Sequence, residues 1–167
     1  MCFDVVGKLI SCLLRVLLHD LTLVNIFRFD HAVSSADKAR IIDPRNVEVI
    51  TMHNNVKAVA RARSLGNELF KSGKFSEASV AYGEGLKHHL VNPVLHCNRA
   101  ACRFKLEQWE KSIEDCNEAL KIQPNYTKAL LRRAASFDKV AHYLPTSALL
   151  ILSLRNSQPL HCCSFGD

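Results

Sequence analysis

The chain is poor in the residues that punctuate or staple a fold. Of 167 residues only 6 are Gly and 5 are Pro, which excludes collagen-like and low-complexity architectures. Its seven cysteines are an odd number, stand at positions 2, 12, 97, 102, 116, 162 and 163, and form no C-x-x-C pair. Neither a disulfide framework nor a zinc site is indicated, and a reduced intracellular chain is expected. Cys97, Cys102 and Cys116 fall in helical patterns, where a thiol acts as a small hydrophobe. No uncharged run approaches the roughly 20 residues a bilayer span needs. No Ser/His/Asp or Cys/His arrangement, Gly-rich phosphate loop or carboxylate pair has a motif around it. No enzyme, metal or cofactor is therefore expected, and His88-His89 is expected as a solvated pair at a helix end.

What is present is apolar and helix-leaning: 48% hydrophobic and 23% charged residues, one domain's worth of chain. The formal net charge of +6 and pI of about 9.0 favour an anionic partner, if charge selects it. In residues 1–28 the apolar positions recur at helical spacing, with Lys8, Arg15, His19 and Asp20 interrupting them. That predicts an amphipathic helix packed on the rest, with a membrane-surface helix as the alternative. A signal peptide is not expected, because Lys8 breaks the apolar run and no basic segment precedes it. Residues 29–58 read as a partial repeat and a connector. Phe29, Ala32, Ala36 and Ala39 precede a stop at Pro44, and the polar stretch from Asn46 to Val59 runs into the next helix.

Residues 59–141 carry a 34-residue period. Leu65-Gly66, Phe75, Ala78, Tyr82 and Leu86 return 34 positions later as Arg99-Ala100, Trp109, Ser112, Cys116 and Leu120, followed by Pro124. A third offset gives Arg133-Ala134, Phe137 and Tyr143. An apolar-Gly pair, a small residue a dozen positions on, an aromatic four further and a terminal proline are the tetratricopeptide pattern. The fold class is all-α, with tetratricopeptide helical hairpins stacked as a short right-handed solenoid. Asn92-Pro93 predicts an N-cap followed by proline at the first helical position, and Gly73-Lys74 a turn between helices. The second helix of the third copy is expected to start near Tyr143. Residues 142–167 are expected to form an atypical tail with at most one helix, less ordered than residues 59–139. Both ends look grafted onto the repeat; a truncated or alternatively spliced product is one explanation.

In each first helix, repeat positions 2, 5, 6 and 9 share a stripe that lines the concave side of such a stack. It carries Arg63 and Asn67, then Asn98, then Lys128 and Arg132. Three cations and two amides suit a terminal main-chain carboxylate, since each oxygen accepts charge-assisted hydrogen bonds and an amide also orients peptide backbone. Phe70, one turn beyond Asn67, is the candidate wall of an apolar peptide pocket. Nucleic acid is not expected: residues 59–139 hold 14 Lys plus Arg against 9 Asp plus Glu, interleaved without a continuous phosphate-tracking stripe.

Arg63-x-x-Gly66-Asn67, Asn98-Arg99-Ala-Ala101 and Lys128-x-x-x-Arg132 resemble the carboxylate-clamp tetratricopeptide domains of heat-shock co-chaperones. That resemblance implies binding of the Glu-Glu-Val-Asp tail of a seventy- or ninety-kilodalton cytosolic chaperone through Arg63, Asn67, Asn98, Lys128 and Arg132, with Arg63 replacing the usual Lys. Residues 29–141 are also similar to the plant tetratricopeptide thioredoxin-like family. The similarity rests on Ile42-Asp-Pro-Arg-Asn46, Ala60-Arg-Ala-Arg63, Ser112-Ile-Glu-Asp-Cys116 and Leu131-Arg-Arg-Ala-Ala-Ser136. It implies a cytoplasmic, non-enzymatic adaptor, co-chaperone-like or acting as a scaffold in hormone and stress responses. The thioredoxin-like domain of that family has no counterpart in these residues, so no redox activity carries over. The alternatives are a generic scaffold for another protein and a truncated, non-functional product.

Overall fold

The computed structural model describes residues 29–143, Leu90 excepted. The expectations for residues 1–28 and 144–167 lie outside the described residues. Six helices follow one another: α1 (Phe29–Ile42), α2 (Val47–Lys71), α3 (Phe75–His88), α4 (Pro93–Lys105), α5 (Trp109–Ile122) and α6 (Thr127–Tyr143). Each packs on the next in chain order, and α4 also touches α6. Among the described residues there is no strand, and no helix is long and apolar enough to cross a membrane.

The connector expected between Asn46 and Val59 is instead the first half of α2. Asn46 starts it: its side-chain oxygen accepts from the backbone N–H of Glu48 at 3.0 Å and of Val49 at 3.4 Å, a cap worth about 1 kcal/mol. Val49, His53, Val56 and Val59 then recur at helical spacing and are buried. Val56 packs with Ala36 of α1, and Val33 and Met52 cover the pair. The small Ala36 and Ala39 let α1 approach closely. His53 is held between the two helices, its Nε2 2.8 Å from the Asp37 carboxylate and its Nδ1 3.3 Å from Arg40. The Asn54, Asn55 and Lys57 side chains that give this stretch its polar look lie off the buried stripe.

The first hairpin, α2–α3, closes on Val59, Ala78, Tyr82 and Leu86, which continue into α4 through Leu95 and Cys102. Burying a side chain of Leu or Val size stabilises by about 1.5–3 kcal/mol. The exposed pairs Lys87–Glu84 and Lys121–Glu118 each lie within a single helix and contribute at most about 1 kcal/mol; the seam itself is apolar. The α4 helix begins as expected, with Asn92 accepting from Leu95 N–H at 3.1 Å and Pro93 in the first turn. Of the pair, His88 is exposed and reaches Asn55 of α2 at 3.4 Å, while His89 is half-buried, which pushes its pKa down.

The second hairpin, α4–α5, adds polar seams. Ser112 takes the small-residue position; its hydroxyl reaches the Ala100 carbonyl at 3.0 Å and the Ser136 hydroxyl of α6 at 2.9 Å. Asp115, only 1% exposed, takes two hydrogen bonds from Arg99 Nε, one from Arg99 Nη2 at 2.6 Å, and an ion pair with Arg103 at 2.9 Å. This explains Arg99 at a position where an apolar residue is usual. Burial by itself would raise the Asp115 pKa. Hydrogen bonds from His96 and Arg99, with the charges of Arg99 and Arg103, outweigh that and leave it below the ordinary carboxylate value.

The expected break before Tyr143 does not occur: α6 runs as far as Tyr143. In the first hairpin the turn passes through Gly73 at φ 80°, and in the second through Glu107 at φ 59°. Thirty-four residues on stands Ala141, a strong helix former for which the left-handed backbone costs about 1–2 kcal/mol. Tyr143 stays helical and stacks on Trp109 of α5, ring centroids 4.8 Å apart.

Two sets of substitutions test this packing. A Cβ at Gly66 would lie 2.5 Å from the Tyr82 ring, whereas at Gly83 it would meet nothing closer than 3.7 Å. Gly66→Ala is expected to lose about 1–3 kcal/mol of stability and Gly83→Ala to gain about 0.5–1 kcal/mol, both read from denaturant melts. Asp115→Asn is expected to cost about 3 kcal/mol at pH 7, the low end for breaking a buried pair, because the guanidiniums can still reach water. A carboxyl with a depressed folded pKa contributes stability above its unfolded value of about 3.9 and loses it as pH falls toward the folded one. The Asp115→Asn deficit should therefore shrink in melts run below about pH 4; a deficit constant from pH 7 to pH 3 would contradict the pairing.

Candidate functional site

Three helices each bring one wall to a single groove. Arg63 and Asn67 lie one turn apart on α2, Asn98 sits midway along α4, and Lys128 and Arg132 lie one turn apart on α6. All five line one open pocket of about 630 Å³. The 34-residue period makes this geometry: the same face of successive first helices turns the same way when the hairpins stack.

The chemistry of the lining is one-sided. It contains three cations and two amides and no carboxylate, so the local field favours an anion. The cations are held differently. Lys128 is exposed, while Arg132 is half-buried and its Nη1 donates to the Cys97 carbonyl and sits 2.9 Å from the Cys97 sulfur. Part of the Arg132 guanidinium is thus anchored to α4 across 35 residues of sequence. Behind Asn67, the Tyr82 hydroxyl donates to the Asn67 side-chain oxygen at 2.7 Å. Burial pushes the Tyr82 and Tyr126 phenols up to about 12, so both are neutral at ordinary pH.

Phe70 is not part of this groove. Its ring packs edge-on against Phe75 at 5.2 Å and against the core of the first hairpin. The residue 34 positions later, Phe104, takes the place expected of it and lines the groove with Val94, Tyr126, Leu131 and Ala135. Val94, Leu131 and Ala135 occupy stripe positions 2, 5 and 9 of their copies, so the spacing that picked the polar five also contained this apolar wall. Tyr126 lies just before α6, outside any first helix, and no stripe rule reaches it.

The three cysteines of the repeat are buried, and burial pushes the Cys102 thiol up to about 11 and the Cys116 thiol up to about 12. They are packing residues, unlike the exposed, low-pKa thiols of redox sites. Among the described residues no three His, Cys, Asp or Glu side chains are grouped so as to hold a metal ion.

The tetratricopeptide repeat family matches residues 93–126, which is the second 34-residue copy. Over 105 residues, 63% of this chain, the sequence is 63% identical to the inactive TPR repeat-containing thioredoxin TTL3 of Arabidopsis thaliana. Over 106 residues, again 63% of the chain, it is 62% identical to the TPR repeat-containing thioredoxin TTL4 of the same plant. The matched stretches cover 15% and 16% of those relatives, so the chain spans a small part of their length. Among solved structures, the TPR2AB-domain:pHSP90-complex of yeast Sti1 shares the fold, with a TM-score of 0.50 and 23% identity over 77% of this chain and 54% of that one. The α4–α5 hairpin is a tetratricopeptide repeat, and in its repeat region the chain is similar to the TPR repeat-containing thioredoxins of Arabidopsis.

Proposed function

We propose that the chain is a protein-interaction adaptor whose groove captures the free C-terminus of an acidic peptide, that of a cytosolic heat-shock chaperone ending in Glu-Glu-Val-Asp. One observation carries this reading: Arg63, Asn67, Asn98, Lys128 and Arg132, drawn from three helices, line one groove that no carboxylate enters. A C-terminal residue with an acidic side chain presents two carboxylates a few ångströms apart, which matches cations on opposite walls. The amides serve the main-chain oxygen and the peptide backbone. The apolar wall of Val94, Phe104 and Leu131 receives an uncharged side chain just upstream. The likeness to the Sti1 complex supports the choice of partner as an analogy of fold.

A charge-assisted hydrogen bond left unmade costs about 1.5–3 kcal/mol, or about 10- to 100-fold in affinity. In calorimetric titration, a Glu-Glu-Val-Asp peptide with a free C-terminus should bind about 10- to 100-fold more tightly than its C-terminal amide. Lys128→Glu should abolish binding, and Arg132→Ala should weaken it about tenfold or more. Equal affinity for the free acid and the amide would sink the carboxylate reading. Binding to a protein partner that survived both substitutions would assign the groove to a general scaffold instead.

A further inference from the structure

The Asn67 side chain is a two-ended group: its oxygen accepts and its nitrogen donates, in nearly the same shape. Which end meets the groove decides whether that wall attracts a carboxylate or an amine. The backbone of α2 leaves this open, because either orientation fits a helix.

Tyr82 settles it. Its ring is 2% exposed and lies against Gly66, where even a Cβ would clash, so the phenol has one position. Its hydroxyl lies 2.7 Å from the Asn67 oxygen and donates to it. Its proton is firmly held, because burial first of all pushes the phenol up to about 12.

We infer that Tyr82 is a positioning residue, whose hydroxyl occupies the Asn67 oxygen and so turns the Asn67 amide N–H toward the groove. The ligand group that Asn67 meets is then an acceptor, a carboxylate or carbonyl oxygen, and not an ammonium or amide N–H. The consequence for affinity rests on the carboxylate reading above; the orientation itself does not.

Tyr82→Phe removes one oxygen and keeps the ring against Gly66, so the fold should persist by circular dichroism. In nitrogen-15-labelled protein without ligand, the side-chain amide signals of Asn67 should shift and exchange faster in Tyr82→Phe. Unchanged signals would overturn the inference whatever any peptide does, which keeps this outcome separate from failure of the carboxylate reading. With the free-acid Glu-Glu-Val-Asp peptide, Tyr82→Phe should bind about 3- to 10-fold more weakly, the worth of one neutral hydrogen bond. The same change made in an Asn67→Ala background should cost nothing further; full additivity of the two losses means Tyr82 does not act through Asn67. Should Tyr82→Phe fail to fold, Asn67→Asp supplies the test. It keeps an acceptor for Tyr82 and replaces the inward N–H with an oxygen, so affinity should fall at least tenfold, and wild-type affinity would refute the orientation.

Discussion

The close approach of Tyr82 to the α2 backbone at Gly66 is the constraint on which the groove depends. With no side chain at Gly66, the aromatic ring fills the space between α2 and α3 that a Cβ would take. The second hairpin solves the same problem with a different division of volume. Ala100 stands at the Gly66 position and Cys116 at the Tyr82 position, both fully buried. A larger residue on one helix is matched by a smaller one on the other, as close-packed interiors require. Because the hairpin angle is fixed next to Asn67, the packing that builds the repeat also aims the first wall of the site.

Polar seams extend that order from one hairpin to the next. Ser112 of α5 meets Ser136 of α6, and the Ser136 hydroxyl also donates to the Arg132 carbonyl at 2.9 Å. Arg132 in turn donates to the Cys97 carbonyl of α4. These contacts tie α6 to the preceding hairpin. Asp115 acts within a single hairpin instead. It pairs with both Arg99 and Arg103 between α4 and α5, so those two cations serve the structure while Arg63, Lys128 and Arg132 line the groove.

The polar half of the groove was legible in the sequence because it depends on two periods only, 3.6 residues within a helix and 34 between copies. Arg63/Asn67 and Lys128/Arg132 follow from the first, and their convergence with Asn98 from the second. The apolar half was displaced by one copy, Phe70 for Phe104, because the two share a repeat position and differ in what surrounds them. Phe70 has Phe75 beside it, at the start of α3, to pack against, whereas Phe104 lines the groove. The length of α2 was hidden by Asn54, Asn55 and Lys57, polar residues that resemble a linker while every third or fourth residue between them is buried. At the same repeat position Ala141 stays helical within α6, where Gly73 and Glu107 take left-handed backbone.

The site is not uniformly prepared for a ligand. Asn67 and Arg132 already have partners that fix their direction, a phenol in one case and a main-chain carbonyl in the other. Lys128 is exposed on a flexible stem, and ordering such a side chain costs roughly 0.5–1.5 kcal/mol on binding. A carboxylate placed against Asn67 and Arg132 therefore meets donors whose entropy has already been lost in folding. One held by Lys128 must order its own partner. In the peptide complex proposed above, direction would thus be set by the anchored pair, while Lys128 would add charge that attracts from a distance and tolerates variation in position.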